Sequence, residues 1–276
     1  MTFSIVARCE EDRSLGVAVA SKFLAVGAAV PAARISVGAI ATQSFCNTLY
    51  KRDGLTLMSA GRSAPATLEA LLADDDQRDS RQVGIVDATG EAATFSGDDC
   101  LDWAGGVTGA GFAIQGNILT GPEVVEAMRT TFLESSGSSL PERLVKSLQA
   151  GDAAGGDRRG RQSAALLVVA ETGSYTPGDD VAYDLRVDDH GDPVGELARL
   201  LALHHVYFDR PSAKDLLPLE DELATEVRSH LDHLGFSDLE TWAGVENYEL
   251  RLVPGRIDSF VLARLREQSA SRGRQP

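Results

Sequence analysis

The chain has 276 residues, 43% hydrophobic and 24% charged, enough for one large globular domain or a domain with a small module. With 26 basic residues against 41 acidic ones the formal charge is −15, which sets duplex nucleic acid and anionic membranes aside as main partners. Cys9, Cys46 and Cys100 are scattered without a CxxC pair, so a disulfide framework or structural zinc site is not expected and a cytoplasmic location is.

The N-terminus opens on Thr2-Phe3-Ser4-Ile5-Val6-Ala7 and then turns charged at Arg8-Cys9-Glu10-Glu11-Asp12-Arg13, without the basic n-region of a secretory signal. The most apolar stretch, Leu15 to Val30, carries Lys22 and is too short to span a membrane. Phe3 to Arg8 and Leu15 to Ser21 flank a charged turn and read as a β-hairpin. Further β segments are expected at Ala28 to Ile35 and Val37 to Ser44. Ala64 to Ala73 reads as a helix, with Leu68, Leu71 and Leu72 on one side and the acidic turn Asp74-Asp75-Asp76 after it. Gln82 to Asp87, Ala92 to Ser96 and Gly111 to Gln115 follow as strands, the last reached through the glycine-rich stretch at Gly105, Gly106 and Gly109.

After Gly116-Asn117 the apolar period changes to about 3.6. Pro122 and Pro141 each begin a helix, Gly151 to Arg161 reads as a loop, and Ser163 to Ala170 and Val181 to Val187 as strands. Pro193 opens a further helix through Leu203. Strands arriving in blocks point to antiparallel sheets packed against helices, an α+β fold. Beyond Pro211 a small helical unit is expected: Leu219 to Leu234, a loop from Trp242 to Tyr248, and Gly255 to Arg266. The tail, residues 269–276, is polar and is expected to be disordered.

The chain has no GxSxG elbow, P-loop or HExxH. Gly109 and Gly111 precede a strand, so a dinucleotide fingerprint fails on context. His230 and His233 read as exposed helix positions. Asp188-Asp189-His190-Gly191-Asp192 lacks the alternating spacing of a calcium loop and reads as an acidic cap before the Pro193 helix. Neither a metal nor a cofactor is expected, although a metal hydrolase built on Asp188, Asp189 and His190 stays open as a rival.

Thr2 carries the main chemical signal. Met1 is readily trimmed before a small residue, and an N-terminal threonine then holds a hydroxyl nucleophile and an amine base together. Lys22 ends the second strand, where an ammonium near the Thr2 amine would lower its pKa; a surface lysine is the plain alternative. Ser21, Gln43 and Gln115-Gly116-Asn117 also lie at strand ends, where amides can form an oxyanion hole or simply make turns. Arg158 and Arg159 belong to a basic patch, Asp157 to Gln162, that can hold a substrate carboxylate or pair with local acids.

The runs TFSIVARCEEDRSLGVAVASKFLAVGAAVP, GAIATQSF, RQVGIVDATG, GFAIQGNILTGPEVVEAM, GGDRRGRQSAALLVV and DLRVDDHGDPVGELARLL resemble the prokaryotic family of unknown function numbered 1028 over roughly residues 2–208. That family is classed as Ntn-hydrolase-like, and the plan is more distantly similar to proteasome β-subunits. The resemblance implies a four-layer αββα sandwich over residues 1–208 and a Thr2 nucleophile, with Lys22 near Thr2 and Gly116-Asn117 near the reacting carbonyl. Ser21-Lys22 stands where proteasome subunits carry an aspartate, so their charge relay does not transfer whole. HLDHLGF and GRIDSFVLARLRE are similar to a peptidoglycan-binding-like helical module, placed at residues 213–268.

The expected function is hydrolysis of a C–N bond in a small-molecule amide or acyl substrate, with Thr2, Lys22 and Asn117 catalytic and Ser21, Gln43, Gln115, Gly116, Arg158 and Arg159 binding substrate. The alternative is a non-catalytic ligand-binding protein on the same fold, using its C-terminal module for interaction. Homo-oligomerisation is left open, since Ntn folds often associate through their outer helices.

Overall fold

The N-terminal hairpin forms where two apolar runs flank a charged turn, and both runs are buried on both faces. In the computed structural model, which describes residues 2–171, 173 and 178–272, β1 (Thr2–Arg8) runs antiparallel to β2 (Leu15–Ser21), with Thr2 opposite Ser21. Phe3, Ile5 and Ala7 face one side and Ser4 and Val6 the other, the two-residue period of a pleated strand. Then come α1 (Val26–Ala29), β3 (Pro31–Arg34), β4 (Gly38–Ser44), α2 (Leu49–Ser59), α3 (Ala64–Ala73), β5 (Arg81–Asp87), β6 (Ala92–Ser96), β7 (Gly105–Gly109) and β8 (Phe112–Asn117). The chain continues through α4 (Glu123–Glu134), α5 (Leu140–Ala153), β9 (Ser163–Val169), β10 (Val181–Val187) and α6 (Pro193–Phe208).

Two antiparallel sheets result, one ordered β10-β9-β2-β1-β8-β7 and the other β3-β4-β5-β6. Thr2 on β1 therefore has Ser21 of β2 on one side and Asn117 of β8 on the other. Phe3, Ile5, Ile114 and Leu166 of the larger sheet pack against Met128, Phe132, Leu144 and Leu148 of α4 and α5. Ile40, Val83 and Ile85 of the smaller sheet pack against Tyr50, Met58, Leu68 and Leu71 of α2 and α3. Between the sheets, Val6, Val17 and Val19 meet Ala39, Ala41 and Val86. Full burial of each large apolar side chain contributes about 1.5–3 kcal/mol, so these contacts fix which face of every strand points where.

Several local expectations change. The segment Ala28 to Ile35 is not one strand: its start is the last turn of α1, and β3 begins at Pro31. The helix α2 lacks a strong apolar stripe in its sequence, yet buries Tyr50, Gly54 and Met58. Gly105–Gly109 is a strand and not merely a glycine-rich approach. Its glycines are needed for close packing, because a Cβ at Gly106 would meet the Ile114 carbonyl and the Thr94 side chain.

The chain divides into two compact units, Met1–Leu201 and Ala202–Pro276. The second contains β11 (Leu216–Pro218), α7 (Asp221–Leu234), α8 (Leu239–Val245), β12 (Arg256–Asp258) and α9 (Ser259–Arg272), around a core of Val227, Leu231, Trp242, Val261 and Leu265. The expected loop at Trp242 is in part a helix. Asp238 caps α8 by accepting the Thr241 N–H at 2.6 Å, and Leu239, Trp242 and Ala243 share its buried face. The tail is ordered further than expected: α9 runs to Arg272, with Ser269 buried and the Arg272 guanidinium donating to the Leu234 carbonyl. The remainder of that tail, 273–276, lies outside the described residues. Among the described residues, no helix is long and apolar enough to cross a membrane.

Candidate active-site cavity

The space between the sheets changes chemistry along its length. Towards the start of β1 the inward positions are Thr2 and Ser4; beside them in the same sheet are Asn117 and Gln115 on β8, and facing them from the other sheet are Gln43 on β4 and Gln82 on β5, all buried. Ser4 Oγ donates to Gln43 Oε1 at 2.7 Å and accepts from Gln115 Nε2 at 2.6 Å. Gln82 Oε1 accepts from both Gln43 Nε2 (2.8 Å) and Asn117 Nδ2 (2.7 Å), while Gln82 Nε2 donates to the Gly116 carbonyl and Ser96 Oγ, each at 2.7 Å. Gly84 makes room for this network, since a Cβ there would collide with the Gln115 amide. Buried amides are costly unless paired, and here each amide group holds its neighbour in place.

The network backs a cavity of about 310 Å³ lined by Thr2, Ser21, Gln43, Ser44, Asn117, Arg159 and several apolar residues. Thr2 Oγ1 lies 3.1 Å from Ser21 Oγ, and Gln43 Nε2 donates to the Thr2 carbonyl at 3.3 Å. Ser44 (φ 69°) and Ile118 (φ 50°) both line the cavity in left-handed backbone, a cost borne where the chain leaves β4 and β8. Beside β8, Leu119 pairs with Asp157, which brings the loop between α5 and β9, residues 154–162, to the cavity wall. Buried Asp157 accepts the backbone N–H groups of Lys22 (2.7 Å) and Arg159 (2.8 Å), with the Arg159 guanidinium 3.5 Å away.

Of the residues singled out from sequence, Thr2, Ser21, Gln43, Asn117 and Arg159 converge here, and the others do not. Lys22 departs most. The strand register sets Ser21, not Lys22, opposite Thr2, and the exposed Lys22 side chain reaches the Arg161 carbonyl at 3.3 Å. Gln115 lies behind the cavity in the amide network. Gly116 allows Leu119 to pack close, where a Cβ would clash. Arg158 donates to the Leu119 carbonyl at 3.3 Å. At the acidic segment, Asp189 accepts from Gln162 Nε2 at 3.2 Å and His190 Nδ1 accepts the Asp192 N–H at 3.0 Å. Among the described residues, no three His, Cys, Asp or Glu side chains gather as a metal-ligand group.

Ser4 and Gln82 join the site without having been expected there; their signal is a polar residue at an inward position of an otherwise apolar strand. The rim is equally unexpected. Phe45 is held by Arg81, which donates to the Phe45 carbonyl at 2.5 Å and to Asp75 at 2.9 Å. Asp75 also accepts from Tyr50 and Asn47. Arg81 foremost holds the Asp75 carboxyl well below its usual range, whereas burial first and then Asp75 push the Tyr50 hydroxyl up, so it stays a donor. Burial likewise raises the pKa of Cys46, which also lines the cavity, keeping that thiol protonated and a poor nucleophile.

Residues 2–197 match the family described as "Family of unknown function (DUF1028)". The chain belongs to the DUF1028 family. A crystal structure of a DUF1028 protein from Silicibacter pomeroyi is similar to it at 30% sequence identity and a TM-score of 0.67, covering 74% of this chain and 86% of that one. Residues 207–265 match the description "Putative peptidoglycan binding domain", so this DUF1028 chain carries an added module. No curated protein matches it.

Proposed function

We propose that the first unit of this DUF1028 protein is a four-layer αββα Ntn-hydrolase sandwich, and that it cleaves a C–N bond in a small amide with Thr2 as nucleophile. The observation that carries this reading is the Thr2 hydroxyl at the cavity, 3.1 Å from Ser21 Oγ and across the strand from Asn117. With Met1 removed, Thr2 Oγ attacks the amide carbonyl and its proton passes to the Thr2 α-amine. The C–N bond then breaks, the leaving amine takes that proton, and water hydrolyses the acyl ester to free Thr2. Asn117 Nδ2, already fixed by Gln82, supplies a donor for the oxyanion.

Lys22 has no part in this scheme, because its ammonium is directed to Arg161. A free α-amine titrates at about 7.7–8.0 unaided, so activity rises with pH through that range. The second unit, centred on residues 213–268, serves partner recruitment or self-association in the cytoplasm.

The position of Lys22 favours one other reading, a binding protein on the same fold without catalysis. Intact mass and a carbonyl-directed electrophile separate the two. Loss of one methionine, an adduct on Thr2, partial activity in Thr2→Ser and near-complete loss in Thr2→Ala are expected. Retained Met1, or equal turnover by wild type and Thr2→Ala, would reject the hydrolase.

A further inference from the structure

The cavity carries a charge signature at odds with the rest of the chain. The sequence holds 41 acidic residues, yet no acid lines this cavity among the described residues, and Arg159 is the charged side chain that does. The Arg159 side chain is 45% exposed. Its loop is set by Asp157, which lies behind the lining, binds the backbone of both Lys22 and Arg159, and pairs loosely with the Arg159 guanidinium at 3.5 Å, so the guanidinium is held at the wall with donors left for a second carboxylate. Opposite in character are Phe23, Phe45 and Leu101, which line the same cavity while 54%, 68% and 61% exposed. Large apolar side chains left open beside a concave site mark a surface that a ligand covers. A volume of about 310 Å³ sits at the small end of ligand pockets and suits a compact molecule.

We infer that the ligand of this cavity is a small amide acid, such as an N-acyl amino acid, whose carboxylate is held by Arg159 and whose apolar group lies against Phe23, Phe45 and Leu101. The choice of scissile bond rests on the Thr2 reading above; the mode of holding does not. Guanidinium and carboxylate match as planar partners and form charge-assisted hydrogen bonds. The chain's charge of −15 opposes capture of anions at long range. A preference for an acid over its neutral counterpart therefore reports the local guanidinium and not the general field.

The test uses the full-length Thr2→Ala variant, in which binding is measured without turnover, and titrates it calorimetrically with hippurate and with its neutral carboxamide. These probes share the aryl group and the amide and differ in the carboxylate. The acid is expected to bind about tenfold tighter or more, the size of one charge-assisted hydrogen bond. Arg159→Gln in the same background is expected to abolish that preference, and Phe45→Ala to weaken both probes by a similar factor. Asp157 keeps its two backbone donors in Arg159→Gln, and an unchanged melting temperature verifies the fold. Equal affinity for the two probes, a preference that survives Arg159→Gln, or binding of neither probe overturns the inference. Retained Met1 with an intact acid preference would instead reject the nucleophile and leave the ligand class standing.

Discussion

The two ends of the inter-sheet space solve the same packing problem with opposite chemistry. At one end Val6, Val17, Val19, Ala39, Ala41 and Val86 close the gap by apolar burial. At the other, Ser4, Gln43, Gln82, Gln115 and Asn117 close it with paired amides and hydroxyls, and there the cavity opens. Apolar contacts are non-directional, so the first end tolerates small shifts. Hydrogen bonds are directional and expensive to leave unmade, so the second end has one arrangement. A site that must hold donors at fixed positions belongs at the second end.

That contrast can be broken most directly at Gln82. Gln82→Leu removes the acceptor shared by Gln43 and Asn117 and the donor to the Gly116 carbonyl. With several buried groups orphaned at about 1–3 kcal/mol each, the loss of unfolding free energy in urea is expected to reach about 3 kcal/mol or more. Val17→Ala at the apolar end deletes fully buried methyl groups and is expected to cost about 2 kcal/mol, with probe binding at the cavity unchanged. If Gln82→Leu costs no more than Val17→Ala, the amide network is filler and the comparison fails.

Asp75 supplies the smallest and most conditional effect, at the rim of the polar end. Its native pKa is depressed, chiefly by Arg81, so its stabilisation is complete above the unfolded value of about 3.9 and is lost as pH falls below that towards the native value. Asp75→Asn should therefore be less stable than wild type at pH 7, with the gap narrowing below pH ~4. Urea midpoints at pH 7 and pH 3 measure it, and a gap that widens in acid would contradict the assigned sign.

Much of this was legible in one dimension. The hairpin of β1 and β2, the α3 helix and the strand β6 follow from apolar period and turn residues, which are local properties. Thr2, Ser21, Gln43, Asn117 and Arg159 were legible as polar residues at chain positions where strands end or a basic loop begins. Lys22 was misleading for a simple reason: one residue along a strand reverses the face, and register is a pairing property that the local sequence does not carry. Gln82 left only a weak mark, because a glutamine near the start of an apolar strand reads as exposed until its partners on other strands are known.

The amino-acid sequence by itself thus determined the elements, the antiparallel character of the sheets and a threonine at the start of β1, because period, capping and turn chemistry act over a few residues. Only the tertiary structure decided that Gln82 locks Gln43 and Asn117, that Arg159 and not Arg158 reaches the cavity, and that the Lys22 ammonium is turned to Arg161. Those outcomes depend on strands far apart in sequence meeting in one register, and hydrogen-bond geometry exists only once they have met.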